Sequence, residues 1–187
     1  MLSICVFCGS REGNRPQYAA AAEELGRWIG SNRCRLIYGG GSTGIMGRIA
    51  DAVLGANGQV VGVITEQLAQ PELMHYGVAD MRIVGNMHQR KALMHELSDV
   101  YVTLPGALGT MEEFFEAAAW AQLTIHSRPV AVLGIAGFYA ALTDLLDAMV
   151  QADFLSAACR QLIHIFTETG DLCEWLAEQQ VSTGPSA

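Results

Sequence analysis

Along the chain, short unbroken apolar runs alternate with longer stretches of helical spacing, and glycine-bearing turns separate the two. The runs at residues 2–8 (LSICVFC), 34–38 (CRLIY), 59–64 (QVVGVI), 81–84, 99–104, 130–134 (VAVLG) and 162–166 read as strands. Between them, helical spacing falls on 17–30, from the second glycine turn to about Gly55, on 86–97, from the turn after 104 to about 123, on 138–150 and on 170–180. Residues 65–80 read as irregular or briefly helical. A strand that is apolar on both faces must be covered on both faces, which predicts a parallel sheet. Strands alternating with helices then give a doubly wound α/β fold. No linker or repeat interrupts the pattern, so residues 1–180 are expected to form a single nucleotide-binding domain and residues 181–187 (VSTGPSA) a disordered tail.

Composition changes this picture in two ways. Hydrophobic residues make up 51% of the 187 and charged residues only 16%, with a mean hydropathy of +0.25. No run reaches the roughly 18–20 apolar residues of a membrane span, and the start has no basic region of a signal peptide. The expectation is a cytoplasmic protein, not membrane-bound, that hides its apolar excess in a homodimer or higher homo-oligomer. The net charge of −8 argues against a nucleic-acid partner, since phosphate backbones require clustered cations. A small anionic ligand held locally remains open. The chain has ten arginines and one lysine, and that lysine, Lys91, adjoins Arg90.

The chemistry gathers at turns that follow strands. Gly9-Ser10, Gly39–Gly44 and Gly106–Gly109 each end a strand and precede a helical stretch or loop. In parallel sheets ligands bind at the carboxyl ends of strands, so these turns should converge on one crevice. Bare backbone at a helix N-terminus is a cradle for anions. GGGSTG (39–44) fits a dinucleotide fingerprint, with Glu66 about twenty residues on as the ribose acid. Against an NAD or FAD reading, the match follows the second strand and leaves the third turn unused. The third turn, PGALGTMEE (105–113), combines glycines, Thr110 and two acids, Glu112 and Glu113. A bland account makes Thr110 an N-cap with Glu113 closing a capping box, the acids favouring the helix dipole. It leaves the glycines unexplained. Successive helical residues point about 100° apart, so only one acid need face the crevice. Arg90 and Lys91, in the helix capped by Asn86, would supply positive charge beside the cradle, or stand merely solvated. Cys5 and Cys8 form a CxxC, but within a strand, where buried free thiols are the ordinary reading.

Taken together, five segments in order resemble the LONELY GUY (LOG) family, cytokinin riboside 5′-monophosphate phosphoribohydrolases long labelled possible lysine decarboxylases. They are CVFCGSREGNRPQY, YGGGSTGIMG, ELMH, MHQRKALM and PGALGTMEE. The resemblance implies a Rossmann-like fold, a dimer, no metal and no cofactor. It implies catalytic roles for Arg90 and Glu113, and contacts to an AMP-like, phosphate-bearing nucleotide from Glu72, Lys91, Gly106, Gly109, Thr110 and Glu112. Gly40, Gly41 and Ser42 of the second turn and Ala107 of the third complete the expected binding set. Ala107 departs from the family, which has glycine there, so a positive φ at that position would strain the loop.

The implied reaction is hydrolysis of an N-glycosidic bond, releasing an adenine-type base and ribose 5-phosphate. A carboxylate that stabilises an oxocarbenium-like state and activates water suits it. Two alternatives stay open at this stage: a non-catalytic nucleotide-sensing module on the same scaffold, and an NAD-dependent oxidoreductase. The apolar stretch FFEAAAWAQL (114–123) is expected in or near a subunit interface, because one sheet contact covers only one side of a helix.

Overall fold

The structure is a computed structural model that describes residues 1–182. Seven strands form one sheet: β1 (Ser3–Phe7), β2 (Arg35–Tyr38), β3 (Gln59–Thr65), β4 (Asp80–Val84), β5 (Val100–Thr103), β6 (Val130–Leu133) and β7 (Ile163–Phe166). Every pairing is parallel, in the order β4-β3-β2-β1-β5-β6-β7. The connecting helices are α1 (Pro16–Ser31), α2 (Gly44–Gly55), α3 (Met87–Glu96), α4 (Leu108–Gln122), α5 (Ala140–Gln151), the short α6 (Ala157–Arg160) and α7 (Thr169–Ser182). The doubly wound α/β reading therefore holds. It missed α6 and a single 3₁₀ turn at Ile135–Gly137. Both are too short to show a hydrophobic period. Residues 181 and 182, expected in the tail, continue α7, and the rest of that expectation lies outside the described residues.

The continuous apolar strands do what their pattern requires. On β1, Ile4 and Val6, with Cys8 just past its end, join the core under α1, α2 and α7. Cys5 and Phe7 join the opposite core under α3, α4 and α5. The two cysteines of the CxxC thus lie on opposite faces of the sheet, both thiols free and buried, and the redox reading has no geometry to stand on.

The chain order reverses between β1 and β5, which are direct neighbours with Phe7 opposite Thr103. This is the topological switch point, where the loops leaving adjacent strands part and open a crevice. The turns after β1 and β5 meet there: the Gly9 N–H donates to the Pro105 carbonyl at 3.0 Å. No helix among the described residues is long and apolar enough to cross a membrane.

Candidate active site

A cavity of about 780 Å³ opens at this switch point. Gly9, Ser10 and Arg11 from the β1 turn, Gly39 from the β2 turn, and Gly106, Ala107, Gly109 and Thr110 from the β5 turn line it. The three glycine turns do converge. Close backbone approach accounts for two of the glycines. A Cβ on Gly106 would sit 2.1 Å from the Thr110 hydroxyl, and one on Gly39 would sit 2.0 Å from Nη2 of Arg90.

Arg90 and Glu113 stand together in this wall. Asn86 caps α3 by accepting the Gln89 N–H at 3.0 Å, and the helix delivers Arg90 into the interior. Its Nε donates to the Val63 carbonyl at 2.9 Å and its Nη2 to the Gly39 carbonyl at 3.1 Å. Its Nη1 lies 3.3 Å from the Met87 sulfur and 3.7 Å from Glu113 Oε1, with the two side chains 10% and 13% exposed. That last separation exceeds a hydrogen bond. Burial raises the Glu113 carboxyl from its ordinary 4.5 to about 7; Arg90 opposes the rise and Glu112 adds to it. A carboxyl balanced near neutrality, held beside a guanidinium that three other contacts fix in place, can take up or give a proton without leaving its place.

The neighbouring pair behaves differently. Lys91 Nζ bonds the carboxylate of Glu112 and that of Glu116 at 2.6 Å. Burial pulls the ammonium down, but the two carboxylates outweigh it and hold Lys91 above its ordinary value. Glu116 also meets His95 Nε2 at 3.1 Å. Of the adjacent acids only Glu113 lines the cavity.

Two bland readings of the β5 turn are corrected. α4 begins at Leu108 with Ala107 as its N-cap, so Thr110 is inside the helix, no acid lies in the first turn, and no capping box forms. The Ala107 backbone is extended, at φ −106° and ψ −151°, so alanine replaces the family glycine there without strain.

Six residues of the expected binding set do not line the cavity: Glu72, Lys91, Glu112, Gly40, Gly41 and Ser42. Lys91 and Glu112 are turned to each other. Glu72 is exposed on the segment between β3 and β4. That segment lies over the β2 turn: the Leu73 carbonyl accepts from the Ser42 N–H at 2.8 Å, and the His75 N–H donates to the Gly40 carbonyl at 3.0 Å. Glu66, the acid a dinucleotide site would use, is exposed and outside the cavity lining. Arg11, Asn14, Tyr18 and Phe138 do line it and were not among the expected site residues, although the first three lie in the CVFCGSREGNRPQY segment. Arg11 directly follows the Gly9-Ser10 turn, a signal that was available. Phe138 arrives from the loop after β6, which only the fold brings near.

The family described as "possible lysine decarboxylase" matches residues 46–176. Among named relatives, the Arabidopsis thaliana cytokinin riboside 5′-monophosphate phosphoribohydrolase LOG1 is 44% identical over 160 residues, 86% of this chain and 75% of that protein. LOG3 of the same plant is 43% identical over 160 residues, 86% of this chain and 74% of that protein. A protein of Oryza sativa subsp. japonica named "Probable cytokinin riboside 5′-monophosphate phosphoribohydrolase LOGL1" is 46% identical over 160 residues, 86% of this chain and 72% of that protein. Among solved structures, the molybdenum cofactor binding protein of Rippkaea orientalis has a TM-score of 0.71 at 20% identity, covering 95% of this chain and 96% of that one; a likeness this remote supports the Rossmann-like fold and nothing further. With four of the five signature segments gathered at one crevice and such identity along most of its length, the chain belongs to the LONELY GUY family of cytokinin riboside 5′-monophosphate phosphoribohydrolases.

Proposed function

We propose that this protein hydrolyses the N-glycosidic bond of an adenine-type nucleoside 5′-monophosphate, releasing the free base and ribose 5-phosphate. The observation that carries the reading is the Arg90–Glu113 pair, largely buried and 3.7 Å apart, in the wall of a cavity bounded by three glycine turns. The phosphate lies against the backbone of Gly106, Ala107 and Gly109 and the Thr110 hydroxyl, with the unoccupied N–H groups at the start of α4 favouring its charge. Glu113 faces the ribose. Water adds to the anomeric carbon as the bond to the base nitrogen breaks; Glu113 stabilises the oxocarbenium character and accepts the water proton, the bonding electrons leave with the base nitrogen, and the proton held by Glu113 is passed on to the departing base, which restores the carboxylate. Arg90 orients the nucleotide and sets the Glu113 charge. Lys91, Glu112 and Glu116 hold α3 against α4 and so fix the two catalytic groups.

The chain is further read as a cytoplasmic homodimer with residues 1–180 acting as one nucleotide-binding domain. The buried unpaired cysteines suit a reducing compartment. On α4, Phe114, Ala117 and Ala121 are buried, while Leu108 is 88% exposed, Phe115 is also exposed, and Leu123 just past its end is 65% exposed. Trp120 finds its cover within the chain, its ring 4.5 Å from that of His95. The outer apolar stripe suits a second copy. Incubation with AMP and with isopentenyladenosine monophosphate, followed by chromatography, tests the activity: free base and ribose 5-phosphate are expected, and tight nucleotide binding with no base released would favour the sensing module instead. Light scattering at micromolar concentration is expected to give a dimer, and a fully active monomer would overturn that part.

A further inference from the structure

The ELMH segment has a place in the fold that the reaction as written does not use. Between β3 and β4 it forms a strap over the β2 turn. The Leu73 carbonyl accepts both the Ser42 N–H, at 2.8 Å, and the Ser42 hydroxyl, at 3.2 Å. The His75 N–H reaches the Gly40 carbonyl at 3.0 Å, and Gly41 and Met74 form an antiparallel bridge. The same turn is held from the other side by Arg90, whose Nη2 donates to the Gly39 carbonyl at 3.1 Å.

Two side chains anchor the strap, apolar Val78 in the core and polar His75. His75 is 9% exposed, with Nε2 3.0 Å from Oδ1 of Asp51 on α2. Its Nδ1 accepts the Gly77 N–H at 3.1 Å. An acceptor at Nδ1 leaves the ring proton on Nε2, where it is donated to the carboxylate. Because α2 grows directly out of the β2 turn, the bond closes a ring: turn, helix, Asp51, His75, strap, and back to the turn. Without it, the strap keeps its backbone bonds to the turn but only Val78 remains to bury a side chain of it, and the turn's outer support loosens.

We infer that His75 and Asp51 are positioning residues for the glycosidase reaction: their bond fixes the strap on the β2 turn, and the turn fixes the Arg90 guanidinium relative to Glu113. The inference rests on the hydrolase reading above. The phosphate cradle at the β5 turn has no bond to the strap or to the β2 turn it holds, whereas the β1 turn takes the Thr43 hydroxyl at its Ser10 carbonyl, at 3.2 Å; the latch therefore bears on turnover more than on capture of the nucleotide.

The test is steady-state hydrolysis of AMP by the full chain across pH, with His75→Ala, His75→Gln and Asp51→Ala. A displacement of about 1 Å at a catalytic group costs up to about 100-fold, so His75→Ala is expected to lower kcat by about 10- to 100-fold with KM within about twofold. Glu113 is faced by Arg90 and Lys91 of α3, by Glu112 and Glu116 of its own helix, and by Cys5 of β1 and Cys8 of the turn after it. Of these Arg90 most strongly favours its ionised form. Retreat of Arg90 therefore moves the acidic limb of the kcat profile upward, by about half a pH unit or more. His75→Gln keeps a donor toward Asp51 and should recover to within about threefold of wild type. Asp51→Ala, at a position 71% exposed, should follow His75→Ala in direction.

Wild-type kcat in both alanine variants overturns the inference, and so does a fall in kcat matched by a rise in KM with the limb unmoved. If His75→Ala does not fold, Asp51→Ala decides by the same two readouts. If the wild type releases no base, the hydrolase reading fails on its own; amide exchange at Ser42 then judges the latch, with about tenfold faster exchange expected in His75→Ala than in His75→Gln and equal exchange overturning it.

Discussion

Arg90-Lys91 on α3 and Glu112-Glu113 on α4 are two dipeptides of opposite charge facing each other, and the structure treats their halves differently. Lys91 is bonded to two carboxylates at the helix junction, where Glu112 is half exposed. Arg90 spends its donors on two carbonyls and a sulfur and stops 3.7 Å from Glu113. The one-residue step turns each side chain by about 100°, which is enough to put one pair at the cavity and the other behind it. The satisfied pair has little left to do but hold helices together. The unsatisfied pair keeps a carboxyl near neutrality and a guanidinium fixed beside it, at a cost in desolvation that a purely structural contact would not retain.

The contrast can be broken at the acid. Glu113→Gln is expected to lower base release by about 10²–10⁴-fold while circular dichroism shows an intact fold. A dead Glu112→Gln with an active Glu113→Gln would assign the chemistry to the other pair. Next in size, Arg90→Lys should lower kcat by about 10- to 100-fold, because an ammonium cannot meet the Val63 and Gly39 carbonyls and face Glu113 at once. Lys91→Arg, measured in parallel, should stay within about threefold of wild type.

Proton linkage sharpens the same comparison. The folded chain holds the Glu113 proton up to about pH 7, and the unfolded chain releases it near 4.5. Stability from this group is therefore present below the unfolded value and lost as pH rises through that window. Glu113→Gln removes the loss, so its stability relative to wild type should improve from pH 5 to pH 8 by about 1–3 kcal/mol in urea titrations. The acidic limb of wild-type kcat/KM should fall near pH 7. Glu116 has the opposite sign: burial raises it, but the bonds from Lys91 and His95 outweigh this and hold it below the ordinary carboxyl value. Glu116→Gln should lower stability at pH 7 by about 1 kcal/mol, with kcat changed no more than a few-fold. The smallest effect is expected from Ala107→Gly. Its extended backbone needs no glycine, so restoring the family residue should cost about 0.5–1 kcal/mol in chain entropy and leave KM unchanged.

Every strand and all the longer helices were legible in the sequence, because two-sided apolar runs and 3.6-residue spacing are consequences of burial in this layered fold. The convergence of the three glycine turns was legible for the same reason: strand ends of a parallel sheet share an edge, so turns that follow strands share a crevice. Motif resemblance brought Arg90 and Glu113 forward as a pair. What the sequence left undecided were matters of direction and distance. T-x-x-E reads as a capping box until the start of α4 at Leu108 puts Thr110 inside the helix. GGGSTG reads as an open cradle until the strap from Leu73 to His75 covers Gly40, Gly41 and Ser42. Lys91 reads as a free cation until Glu116, four residues beyond Glu112 and on the same helical face, closes on it. Local periodicity determines which elements form and which faces they bury, because those depend on neighbours in the chain. Which of two adjacent charges meets the cavity, and whether it arrives satisfied or not, was decided by partners 21 to 51 residues away, from Lys91 and Glu112 to Arg90 and Gly39, and such pairings exist only once the sheet has brought the loops together.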